Sequence, residues 1–108
     1  MEIKSVLKRI VEMADPYKII LFGSYARGTV TPDSDIDLMI LLDNDFLPKT
    51  SSEKLERNWN IHKLVLDINY QYAMDVKIYS RAEFRKLKNK GSFFIEEIEK
   101  TGKTIYEN

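Results

Sequence analysis

Gly23 and Ser24, followed after ten residues by Asp35-Ile36-Asp37, are the residues with chemistry in their types and spacing. Glycine lets the backbone approach an anion closely because it carries no Cβ. The serine hydroxyl and the first amides of a following helix can grip phosphate oxygens. Two aspartates two positions apart on a strand point to one side. Their oxygens suit a hard divalent cation that takes one or two protein carboxylates plus substrate phosphates. A phosphate holder beside paired carboxylates is what metal-dependent phosphoryl or nucleotidyl transfer needs, with two ions about 3.5–4 Å apart in such sites. A third carboxylate would complete the metal set and take the proton from an attacking hydroxyl. Asp75 is the candidate, because it lands beside Asp35 and Asp37 if its strand pairs with theirs. Arg27 is placed to screen phosphate charge, and Gly28 to permit a second close approach or a tight turn.

Each feature also has a bland reading. A Gly-Ser pair is usually a turn, an Asp-x-Asp at a strand end is usually a solvated cap, and Asp75 alone would be a surface acid. Their conjunction shifts the balance. Five fixed residues (Gly23, Ser24, Gly28, Asp35, Asp37) at about 6–7% usage each recur by chance in roughly one such chain in 10⁴.

The elements around them follow from periodicity. Ile3, Val6, Leu7, Ile10, Val11 and Ala14 make one apolar stripe on a helix of about three turns. Asp15-Pro16 stops it, since proline disfavours a helical residue before it. Ile19-Ile20-Leu21-Phe22 reads as a strand buried on both faces, ending at Gly23. Residues 23–29 form a turn and short helix, and Thr31-Pro32-Asp33-Ser34 is a loop. In the strand over 36–42, Asp35, Asp37, Met39 and Leu41 share one face and Ile36, Leu38, Ile40 and Leu42 the other. Thr50 with Glu53 is a capping box opening a long helix, whose buried stripe is Ile61, Val65, Ile68 and Tyr72. A third strand over 73–79 turns Asp75, Lys77 and Tyr79 one way and Met74, Val76 and Ile78 the other. Ser80 with Glu83 caps a basic helix broken at Asn89-Lys90-Gly91. Ser92 caps a last helix carrying Phe94, Ile95 and Ile98, closed by Thr101-Gly102. Thr104-Ile105-Tyr106 is available as a short extra edge strand.

Composition narrows the class. The 108 residues are enough for one domain, 1–108, and one core. Seventeen basic residues balance 17 acidic ones, which removes an electrostatic case for a general nucleic-acid or membrane binder. The absence of cysteine excludes disulfides and thiolate metal sites and agrees with a cytoplasmic location. No apolar stretch approaches membrane-spanning length.

Gly23-Ser24-x10-Asp35-x-Asp37 with Asp75 on a later strand resembles the DNA polymerase β-type nucleotidyltransferase superfamily, and most closely its minimal nucleotidyltransferase (MNT) branch. The resemblance runs from the first helix to Tyr106. It implies an α+β fold, a three-stranded mixed sheet in order 1-2-3 packed with helices. It further implies that Gly23 and Ser24 hold the β- and γ-phosphates of ATP, that Asp35 and Asp37 ligate Mg²⁺ (or Mn²⁺), and that Asp75 completes the metal site and activates the acceptor hydroxyl. Larger relatives carry further domains that bind the acceptor. The resemblance therefore implies a partner chain, a HEPN-type toxin RNase, with this chain as the antitoxin that silences it by transferring AMP to a tyrosine. Two rival readings stand beside it. One is a non-catalytic module that neutralises its partner by contact. The other is a transferase acting on a small molecule or RNA end through a homodimer cleft.

Other features carry less. Arg81, Arg85, Lys86, Lys88 and Lys90 are a solvated face or a docking patch for an acidic partner or RNA. Lys77 is placed either to contact phosphate or to pair with a nearby acid. His62, without a second histidine at metal spacing, reads as a boundary residue, and Tyr25 as a packing residue.

Overall fold

Proline at position 16 ends the first helix and opens the first strand. In the computed structural model, which describes residues 3–68 and 73–108, α1 (Ile3–Ala14) gives way at Asp15 to β1 (Pro16–Phe22). Asp15 takes the left-handed region (φ 44°), and its N–H donates to the Val11 carbonyl at 3.0 Å. The strand therefore starts three residues earlier than its apolar run. The chain continues through α2 (Gly23–Arg27), β2 (Ile36–Leu42), α3 (Ser51–Ile68) and β3 (Met74–Ser80) to α4 (Arg81–Asn89), α5 (Phe93–Thr101) and β4 (Lys103–Glu107).

The sheet order is β3-β2-β1-β4. β1 lies antiparallel to β2 and to β4, whereas β2 and β3 run parallel. The 1-2-3 order expected for the first three strands is therefore present, and the optional C-terminal strand is a full fourth strand on the outer side of β1. A parallel pair needs a long crossover between its strands, and α3 lies in that connection.

β2 is central, and it is apolar on both faces because both are covered. Ile36, Leu38, Ile40 and Leu42 pack with Val6 and Ile10 of α1 and Ile61 and Leu64 of α3. Met39 and Leu41 pack on the other side with Ile95 and Ile98 of α5, flanked by Phe84 and Leu87 of α4. The face of β2 that begins with Asp37 is thus buried at Met39 and Leu41 and opens only at its N-terminal end.

Several details depart from the sequence pattern. β3 is displaced by one residue, to Met74–Ser80, because Ser80 is buried and serves as the N-cap of α4. Of the stripe expected on α3, Ile61 is buried. The side chains of Val65 and Ile68, and all of Tyr72, lie outside the described residues, as does the Ile3 side chain in α1. Asn58 and Leu64 are buried on α3 beside Ile61. Phe94 is not a core residue: it is 38% exposed and meets Phe22 edge-on, with centroids 5.6 Å apart.

The caps hold α3 and α4 against the ends of the central strands. Thr50 Oγ1 accepts from Glu53 N–H at 3.1 Å, but the Glu53 carboxylate reaches past the cap to Lys49 N–H. At α4 the box is complete: Ser80 Oγ accepts from Glu83 N–H, and Glu83 Oε1 accepts from Ser80 N–H. The same carboxylate is ion-paired with Arg57 of α3, both side chains being nearly buried. This contact ties the helix on one face of the sheet to the helix on the other, around the β3 edge.

Candidate functional site

The site is built around Asp37, the second residue of β2. Across the antiparallel pair its Cα faces Phe22, the last residue of β1, and across the parallel pair it faces Asp75 of β3. Adjacent strands lie about 4.8 Å apart, and residues in register point to the same side. Asp75 therefore stands beside Asp37 on one face, as its strand position predicts. Asp35 sits one residue ahead of β2 and is exposed.

Gly23 follows directly. Its φ of 71° lies in the left-handed region, and a Cβ there would sit 2.1 Å from Asp37 Oδ2. Only glycine allows the β1–α2 turn to lie against that carboxylate. Ser24, in the first turn of α2, is half-buried, and its hydroxyl makes no hydrogen bond among the described residues. Of the two roles considered for Gly28, the structure shows the tight turn and not the close approach. Gly28 is the left-handed C-cap of α2 (φ 74°), its N–H donates to the Ser24 carbonyl, and nothing lies within 4 Å of where its Cβ would be. Its requirement is the turn itself. Arg27 is exposed on the last turn of α2.

The electrostatics follow this geometry. The Asp37 carboxyl titrates above its ordinary value of 3.8, first because burial penalises the charged form, then because Asp75 and Asp35 repel it. Lys77 and Arg27 act in the opposite sense. The three aspartates and two cations thus share one field centred on Asp37. Lys77 Nζ lies 3.7 Å from Asp75 Oδ1, with both side chains about half exposed, so the pair is loose and screened by solvent.

Among the described residues, no three carboxylate, histidine or cysteine side chains converge tightly enough to cage an ion by themselves. The donor set nonetheless fits a magnesium-type ion. It is all oxygen, it carries more negative than positive charge, and such ions take one or two carboxylates and complete their shell with substrate phosphates and water. A distinct cleft of about 370 Å³ lies elsewhere, at the C-terminal end of β3, and contains none of these residues.

A family model described as a nucleotidyltransferase domain matches residues 1–103. The chain belongs to the nucleotidyltransferase domain family. Relatives of this nucleotidyltransferase include two from Methanocaldococcus jannaschii. It is 40% identical over 62 residues to "Putative protein adenylyltransferase MJ1305", covering 57% of this chain and 39% of that one. It is 48% identical over 59 residues to "Putative protein adenylyltransferase MJ1379", covering 51% and 58%. The alignments thus span between about two fifths and three fifths of those relatives' lengths. Among solved structures, a crystal structure of a toxin-antitoxin with AMP-PNP superposes with a TM-score of 0.56 at 20% identity, over 100% of this chain and 75% of that one. A point variant of the MntA-HpeT toxin-antitoxin gives 0.58 at 20% identity, over 100% and 74%. These two likenesses establish the shared nucleotidyltransferase fold.

The other side chains singled out by the sequence pattern divide cleanly. Tyr25 packs against the α1/α3 core, and His62 is half-buried at its boundary. Of the basic run, Arg81 pairs with Asp43 at 2.8 Å, Arg85 with Asp45 at 3.0 Å and Lys88 with Glu99 at 2.9 Å. Lys86 and Lys90 form no ion pair among the described residues and line the cleft. The sequence holds a signal for this that charge counting misses: the two are four apart, one on α4 and the other at its helical C-cap. Arg57–Glu83 has no sequence signal beyond the capping box, because its partners are 26 residues apart.

Proposed function

We propose that this nucleotidyltransferase moves AMP from ATP to a hydroxyl of a partner protein, in the cytoplasm, as the antitoxin of a HEPN–MNT pair. The observation that carries the site reading is the in-register pairing of Asp37 with Asp75, with the Gly23 backbone against Asp37 and Ser24 next in the chain. The names of the adenylyltransferase relatives support the reaction, and the toxin–antitoxin neighbours support the kind of partner.

In this reading Ser24 and the early α2 amides bind the β- and γ-phosphates, and Arg27 screens them. Asp35, Asp37 and Asp75 would hold Mg²⁺ or Mn²⁺, which supplies Lewis-acid stabilisation of charge on the transferring phosphoryl group. The acceptor hydroxyl oxygen forms a bond to the α-phosphorus, the bond from that phosphorus to the α,β-bridging oxygen breaks, and pyrophosphate leaves. The hydroxyl proton passes to a carboxylate oxygen of Asp75. The Asp37 carboxyl is raised first by burial and then by repulsion from Asp75 and Asp35, and a bound cation would relieve that repulsion.

The test combines labelled ATP, Mg²⁺ and the protein encoded beside this chain. Label should appear on the partner with the native chain and be lost with Asp35→Asn/Asp37→Asn. In parallel, Mn²⁺ should raise the melting temperature of the native chain and not of that variant. Labelling that survives the double change would overturn the site. Neutralisation of the partner without labelling would favour action by contact.

A further inference from the structure

We propose a second anion site on this molecule, separate from the three aspartates: the cleft at the C-terminal end of β3 binds a phosphate-bearing ligand of about mononucleotide size. The proposal does not depend on the transferase reading.

Four ammonium groups line the cleft: Lys49 before α3, Lys54 in its first turn, Lys86 on α4 and Lys90 at its C-cap. None of them is in an ion pair among the described residues, whereas Arg81, Arg85 and Lys88 of the same basic segment all are. The chain has placed opposing acids beside the outward cations and left the cleft cations open. One carboxylate, Glu83, also lines the cleft, but Arg57 neutralises it and its Oε1 accepts from Ser80 N–H. The lining therefore carries a net positive charge concentrated in one concavity, where low-dielectric walls focus the field.

Size and composition narrow the ligand. About 370 Å³ is at the lower end of the range of small-molecule sites. The cations are lysines, which bind phosphate as point charges without imposing the planar bidentate geometry of an arginine fork. Leu47 and Leu87 supply an apolar wall on which a ring can rest. Tyr79 also lines the cleft, with Lys54 Nζ held 5.7 Å from its ring centroid, so that this ammonium is positioned before any ligand arrives. Tyr79 shares its strand face with Lys77 and Asp75, four residues away. At about 3.3 Å per residue the cleft is some 13 Å from Asp75, too far for one phosphate to touch both.

The test uses pyrophosphate and AMP as probes, in EDTA so that divalent cations play no part, followed by amide chemical shifts and calorimetry. The expected result is a set of shifts at Tyr79, Lys86 and Lys90. Affinity should be retained in Asp35→Asn/Asp37→Asn, weakened about tenfold or more in Lys86→Ala/Lys90→Ala, and lowered by added salt. Both lysines are exposed, so the variant should fold, and circular dichroism confirms it. AMP binding tighter than pyrophosphate assigns a role to the apolar wall, and equal binding assigns the site to phosphate alone. Shifts confined to residues 23–28 and 35–37, an affinity unchanged by the lysine substitutions, or tighter binding of an oligoglutamate peptide than of either probe would overturn the proposal.

Discussion

Replacing Gly23 with alanine should damage the fold and the site together, and the two parts can be separated. An alanine at φ 71° bears the left-handed penalty of roughly 1–2 kcal/mol. Its Cβ also meets Asp37 Oδ2 at 2.1 Å, where ordinary contact begins near 3.4 Å, so the carboxylate must retreat by roughly 1 Å or more. Forcing that side chain off its rotamer adds about 0.5–1.5 kcal/mol. Gly23→Ala should therefore cost about 1.5–3.5 kcal/mol, a fall in melting temperature of about 6–28 °C. The separation comes from a double-mutant cycle in urea followed by circular dichroism. In an Asp37→Ala background the clash is gone and only the backbone cost remains, so Gly23→Ala should cost about 0.5–1.5 kcal/mol less than in the native chain. Gly28→Ala serves as the control, because its φ is also positive but no atom lies near its Cβ. It should show the backbone cost and no coupling to Asp37. An equal cost for Gly23→Ala in both backgrounds would refute the close approach of the turn to the carboxylate.

Two other outcomes follow from the electrostatics. The Asp37 carboxyl titrates above 3.8 in the folded protein, so its ionisation opposes folding: the penalty is absent below pH 3.8 and complete above the raised value. Asp37→Asn should accordingly melt higher than the native chain at pH 7 in EDTA, and the gap should close as pH falls toward 3. A gap that widens on acidification would contradict the burial of that carboxyl and its repulsion by Asp75 and Asp35. Arg57→Met should leave the Glu83 carboxylate buried without its cation and cost about 3–5 kcal/mol in urea. Arg57→Met/Glu83→Gln should recover part of the loss, and a single-variant cost under about 1 kcal/mol would show that the pair is dispensable.

Much of this molecule is legible in its sequence, for reasons that can be named. β2 can be placed because Asp37 interrupts an otherwise apolar run at the one point where its face is uncovered. The Ser80–Glu83 box is readable because capping is local. The role of Gly23 is legible only as permission for close approach; that the approaching group is Asp37 itself, rather than a ligand, requires coordinates. The Arg57–Glu83 tie and the cleft beside Tyr79 join segments far apart in the chain, and neither periodicity nor composition records such meetings. The α3 stripe expected from Ile61 onward omits Leu64, which lies three residues along and is buried on the same face.

The parallel ladder between β2 and β3 has a consequence for how the protein can fail. Side chains alternate along a strand, so sliding β3 by a single position would bury the Asp75 carboxyl against α1 and α3 and expose Met74, Val76 and Ile78 to solvent. The oily half of β3 thus acts as the gauge that sets its acidic half. A polar substitution at Val76, which packs on the opposite face of the strand from Asp75, would loosen the alignment that sets Asp75 beside Asp37.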